Sequence, residues 1–275
     1  MKQANSNIAG KIALIDDLPS PSPVVERLLS FVPGEEGTPG DLEEIISMDP
    51  GVSAQVLRVA NSAYFGFSGR ISTISKAVLL LGPKEIWTIA MGIAFHQQFS
   101  SLFTSHCFDL DVFWQHSFLT GVVEDRLARE IGHDEFLLED AMTMGLLHDI
   151  GRLVMATHFI EEYDRLYEYM IEHKVSLLEA ESVTGMLHTE IGKKLCRWWK
   201  LPVSIEQAVS EHHYFGFSNT SSPSKNGVIT GVSNLIANEL QKGGGSGHGI
   251  GRFSPCPGRP GLVEAGGNQD NRGFG

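Results

Sequence analysis

His148 and Asp149 are neighbours in the stretch Gly145-Leu146-Leu147-His148-Asp149-Ile150-Gly151-Arg152, where an apolar run leads into the pair and a glycine follows it. Both side chains bind metal ions well, and their apolar flanks carry them toward an interior where a charge is rarely buried without a partner. The chain has 11 histidines. Helical context groups some of them. His116 falls on a helix upstream, His188 stands just before Thr189-Glu190-Ile191-Gly192, and His212-His213 closes a later helix. Five imidazoles and one carboxylate suit a metal that prefers imidazole, and a carboxylate can bridge two ions, so a dinuclear centre is stereochemically open. Each histidine also has the plainer reading of a hydrogen-bonded helix residue, because ligands from distant helices leave no tight spacing signature.

Helices must position these residues. Leu18-Pro19-Ser20-Pro21-Ser22-Pro23 is a stiff extended lead-in expected against the surface of the fold. Val25, Leu28, Leu29 and Val32 then repeat at helical spacing up to Pro33-Gly34. Leu42 to Met48 reads as a short helix. Asp49-Pro50 starts another that runs to about Tyr64, with Asn61 near its end as a packing or capping residue. Ser72-Thr73-Ile74-Ser75 opens a helix closed by Gly82, and Pro83 begins the next. A second set restarts at Asp109 or Asp111 and carries His116 as far as Gly132. It continues through Glu139 to His148, Phe159 to His173, Leu177 to Thr184, Thr189 to Trp199, Ser204 to His213 and Val228 to Leu240. Trp198-Trp199 reads as core. No alternation of apolar and polar residues calls for a sheet.

The expected fold is therefore all-α, with two packed helical bundles. Residues 1–17 form a lead and residues 18–242 the folded unit, divided into sub-bundles at 18–103 and 104–242. Residues 243–275 are a Gly/Pro-rich tail of linker composition. A net charge of −12 argues against a broad nucleic-acid surface, and no apolar stretch is long enough to span a bilayer. Three cysteines are too few and too scattered for a disulfide framework, and the N-terminal residues lack the apolar core of a signal peptide. The expected location is cytoplasmic.

The stretch from Gly145 to Leu153, with His116 upstream and His188 and His212-His213 downstream, resembles the HD superfamily of metal-dependent phosphohydrolases. Leu18-Pro19, Asp49-Pro50, Val56-Leu57-Arg58-Val59-Ala60-Asn61-Ser62 and Ile71 through Gly82 narrow the likeness. They resemble the HDOD family, the HD-related output domains of bacterial signalling proteins, over roughly Leu18 to Leu240. That resemblance implies that His116, His148, Asp149, His188, His212 and His213 hold one or two divalent ions, iron or manganese, which activate water against a phosphoester. A further Asp on the last core helix is expected, and Asn234 stands in its place. A neutral amide there weakens a metal site. The glycine-tyrosine-proline motif of the cyclic-dinucleotide phosphodiesterases is replaced by Tyr214-Phe215-Gly216-Phe217.

Three readings follow from these residues. One is a signalling module whose His/Asp pocket binds metal or a nucleotide-type ligand, with other signalling proteins or a second copy as partner. Another is a metal-dependent phosphohydrolase of nucleotide or cyclic-dinucleotide phosphoesters, with Asp149 in the reaction and Arg152 steadying the phosphate. The last is a pocket without metal, its histidines hydrogen-bonded.

Overall fold

Local capping sets the early helices. Ser22, Thr38, Asp49 and Thr73 each accept a backbone N–H at a helix start, and Pro23, Pro39 and Pro50 take the first helical positions. Thr38 and Asp41 complete a reciprocal capping box. The resulting helices are α1 (Pro23–Leu29), α2 (Pro39–Ser47), α3 (Pro50–Ala60), α4 (Ile74–Leu81) and α5 (Pro83–Ser100). The computed structural model describes residues 20–31, 37–63, 65–67, 69–100, 105–131, 135–213 and 223–243, the backbone alone at 135–139 and 243. The Pro33-Gly34 stop, the lead at 1–17 and the tail from residue 244 lie outside these residues.

The described part of the lead-in, from Ser20, lies against α5: Ser22 donates its N–H to Gln98 Oε1 at 2.8 Å, and Gln98 Nε2 donates to the Ser20 carbonyl at 3.1 Å. α3 stops at Ala60, earlier than its apolar pattern suggests, because Asn61 turns its side chain back on the chain. Its Nδ2 donates to the Leu57 and Ile71 carbonyls at 2.9 and 2.7 Å, and its Oδ1 accepts the Ile71 N–H at 3.0 Å. The bonds to Ile71 join the end of α3 to the approach of α4.

The second group comprises α6 (Leu110–Ile131), α7 (Glu135–Leu147), α8 (Ile150–His158), α9 (Ile160–His173), α10 (Leu177–Thr184), α11 (His188–Trp198), α12 (Val203–Glu211) and α13 (Lys225–Gly243). Every described element is a helix, with no β-strand among the described residues. α6 packs on α7 and α13, α8 on α11, and α12 on both α11 and α13. The two groups share one contiguous apolar core. Phe95 of α5 lies 6.2 Å from Trp114 of α6 and 5.7 Å from Trp199, centroid to centroid, so aromatic rings form the seam. Trp198 departs from its expected core place and is 51% exposed, whereas Trp199 is buried. No described helix is long and apolar enough to cross a membrane. Cys196 is a buried free thiol.

One helix is absent from the sequence reading. Residues 150–158 form α8 immediately after the His148-Asp149 pair, although Gly151 looks like a terminator. Gly151 has a packing task instead. A Cβ on it would lie 1.9 Å from the His188 carbonyl oxygen and 2.8 Å from the Gly192 N, so only glycine lets α8 and α11 touch through their backbones. A second close approach joins α6 to α7, where a Cβ on Gly145 would lie 2.5 Å from Gly121 Cα.

Candidate metal centre

These two backbone contacts bring the site together. The first sets His188, the opening residue of α11, against the His148-Asp149 turn between α7 and α8. The second sets His116, inside α6 and not at its end, beside His148, with ring centroids 5.3 Å apart. His212 and His213 leave the end of α12 and reach the same point, with His212 4.9 Å from His148 and 5.4 Å from His188, centroid to centroid. Potential donor atoms of Asp149, His188, His212 and His213 lie within 4.8 Å of one another, and so do those of His116, His148 and Asp149. Asp149 belongs to both groups. Asn234, on α13, lies against the His116 ring, and its Oδ1 accepts from Asn238 Nδ2 at 2.8 Å. All six histidine and aspartate positions singled out from the sequence thus converge, with Asn234 beside them.

Four imidazoles are held in the same sense. Each Nδ1 faces an oxygen that can only accept: Gln241 Oε1 at 3.2 Å for His116, the Gly145 carbonyl at 2.7 Å for His148, Glu181 at 2.7 Å for His188 and the Val209 carbonyl at 3.0 Å for His212. When Nδ1 donates to such a partner, the neutral ring has its lone pair on Nε2. This is the arrangement that outer partners impose on metal-ligating histidines. Glu181 and Gln241 are not found by sequence reasoning. Glu181 follows Leu177 by four residues and so shares a face of α10 with it, which is a faint sign of burial. Gly185 in the left-handed conformation then ends the helix and returns the chain to place His188 beside Glu181.

The Nε2 atoms of His188 and His212 lie 3.4 Å apart, and each is 3.3 Å from Asp149 Oδ1 without the alignment of a hydrogen bond. Three acceptor atoms at the corners of such a triangle repel unless a cation sits among them. Tetrahedral ligands about 2.1 Å from an ion are spaced by roughly 3.4 Å, so the triangle fits one. Asp149 Oδ1 and His148 Nε2 are buried without hydrogen-bond partners, a second sign of the same fit.

The protonation of the site agrees with its surroundings. Burial lowers His148 to about 3 and also lowers His116. Burial, then charge on His212, pushes His213 down. Neutral imidazoles are what a metal requires. Burial opposes charge on Asp149, but His148 and Arg152 outweigh it and hold the carboxyl well below the usual range. His188 differs: burial works against its charged form, yet Glu181 and Asp149 raise it to about 9. Without an ion, a proton on His188 therefore relieves the crowded triangle, which is the hydrogen-bonded alternative expressed in chemical form. Arg152 does not point a free guanidinium outward. It is buried, and Nη1 donates to Asp149 Oδ2 at 2.9 Å.

An uncharacterized protein of Treponema pallidum (strain Nichols) is 26% identical over 211 residues, which are 76% of this chain and 40% of that relative's length. Among solved structures, an HDOD domain protein of unknown function from Geobacter sulfurreducens superposes with a TM-score of 0.73 at 21% identity. That match covers 92% of this chain and 82% of the other, and shows the fold. A Shewanella amazonensis SB2B protein provisionally named a phosphohydrolase superposes with a TM-score of 0.67 at 26% identity, over 86% of this chain and 81% of the other. The family model described as HDOD domain matches residues 18–215, which carry α1 to α12 and all the converging histidines but not α13, and the chain belongs to that family.

Proposed function

We propose that the chain is a regulatory module of the HDOD type whose buried His/Asp centre binds a divalent metal ion. The observation that supports it is the close triangle of His188 Nε2, His212 Nε2 and Asp149 Oδ1, three atoms able to bind an ion, spaced at 3.3–3.4 Å. A bound ion would polarise whatever oxygen ligand completes its coordination. The residues of this chain exclude water and fix the imidazoles: Glu181 orients His188, Gln241 orients His116, and main-chain carbonyls orient His148 and His212. Occupancy of the centre, or a nucleotide-type ligand beside it, is the state that such a module passes to a signalling partner or a second copy.

The second reading is a metal-dependent phosphohydrolase. The imidazole cluster and the likeness to the Shewanella protein favour it. Two residues weigh against it. Asn234 supplies no charge where a carboxylate is expected, and Arg152 is bonded to Asp149 instead of extending toward a phosphate. Metal analysis of protein purified without chelator and reconstituted anaerobically with iron or manganese tests the proposal. Less than about a tenth of an ion per chain overturns metal binding. With metal present, turnover of a phosphodiester panel that disappears in His148→Ala establishes the hydrolase, and metal without turnover supports the regulatory module.

A further inference from the structure

Asp149 divides the centre in two. Its Oδ1 faces the Nε2 atoms of His188 and His212, and His213 lies within reach of the same point. Its Oδ2 faces the other way, 3.6 Å from His148 Nε2, and accepts a hydrogen bond from Arg152 Nη1 at 2.9 Å. Arg152 is held there by Asp149 and Tyr163, while its Nε is buried without a hydrogen-bond partner. It follows Asp149 by three residues, so one helical turn joins the pair. Its guanidinium is buried, and the phenol of the equally buried Tyr163 lies against it. The two halves therefore differ in charge. The Oδ1 half holds three imidazoles, which can each lose a proton to a metal, and a carboxylate oxygen with no hydrogen-bond partner. The Oδ2 half holds His116, His148 and neutral Asn234, with a permanent cation already on its carboxylate oxygen. Arginine stays protonated in proteins, so that cation does not leave by titration.

We infer that the centre takes a single divalent ion, held by Asp149, His188, His212 and His213, and that Arg152 is the built-in cation of the other half, where a second ion would otherwise sit. This inference rests on the metal-binding reading above and specifies which half of the site carries it. A carboxylate that bridges two ions with one oxygen on each uses both oxygens. Here one is committed within the chain. Like charges held a few ångströms apart in a buried site repel strongly, so a second dication beside the guanidinium is disfavoured.

Titration of the metal-free full chain with Mn(II), with bound ions counted by mass spectrometry of the metal and by the electron paramagnetic resonance spectrum, tests the inference. The intact protein binds one Mn(II) with an isolated-ion spectrum. Arg152→Gln gains a second binding event and a spin-coupled spectrum, and adding His148→Ala to that variant removes both. Two substitutions that leave Arg152 in place decide the matter if Arg152→Gln does not fold: His116→Ala keeps the single ion, and His213→Ala weakens or loses it. Two coupled ions in the intact protein, a single ion in folded Arg152→Gln, or loss of the ion in His116→Ala but not in His213→Ala overturns the assignment and leaves metal binding intact. No bound metal in the intact protein overturns both readings.

Discussion

Asp149 Oδ1 faces imidazoles whose orientation is set by the residues behind them. Glu181, seven residues before His188 and buried with it, fixes that ring through Nδ1 at 2.7 Å. Replacing Glu181 by Ala frees the ring and lowers its basicity, so Mn(II) affinity falls by about 10- to 100-fold. A metal titration by calorimetry that shows unchanged affinity would contradict this role. Another buried carboxyl gives a pH prediction away from the metal ligands. Glu124 accepts from Thr230 Oγ1 at 2.7 Å, while its other oxygen has no partner, and burial raises its pKa well above the ordinary value. The folded chain thus keeps a proton that the unfolded chain releases above roughly pH 4.3, and stability declines as pH rises from there toward the elevated folded value. Glu124→Gln removes that penalty. Its melting temperature exceeds that of the parent at about pH 8, and the difference closes near about pH 4.

At the level of elements, glycine positions the helices that bear the ligands. Gly151→Ala drives a methyl group into the His188 carbonyl, forces α8 and α11 apart and destabilises the fold by about 1–3 kcal/mol or more, with metal affinity lost in step. Gly40→Ala, in α2, meets nothing nearer than 3.7 Å and stabilises by about 0.5–1 kcal/mol through helix propensity. Opposite shifts in chemical denaturation midpoints check the pair. The same contrast explains what the sequence shows. Helix starts such as Asp49 and Thr73 are legible because a cap bonds to a backbone N–H only two or three residues away. The His148-Asp149 pair is legible because two ligating side chains interrupt an apolar run. α8 is not, since Asp149 stands at its start without a side-chain cap bond, its carboxylate turned to Arg152 and the histidines, while Gly151 serves a neighbouring helix. Gln241 and Glu181 act across folded distances that no local pattern records.

The molecule as a whole joins its two helical groups through one core, and the two are expected to unfold together. Circular dichroism and tryptophan fluorescence are expected to report one coincident transition. Trp199→Ala empties the aromatic seam beside Phe95 and Phe99, costs about 3–5 kcal/mol and separates those two signals. Metal acts on the same equilibrium. An ion that binds only the folded chain adds about 2.7 kcal/mol when its free concentration is about 100 times its Kd, so Mn(II) raises the melting temperature and a chelator reverses the rise. His148→Ala, which belongs to the half occupied by Arg152, retains most of that rise.

Main-chain atoms, and not side-chain volumes, set the distances between the ligand-bearing helices where Gly121 meets Gly145 and Gly151 meets His188. Exchanges among Leu, Ile, Val and Met elsewhere in the interior can then accumulate without retuning the centre. Inheritance can rewrite the packing and leave the calibration of the chemistry untouched, provided that those few glycines stay.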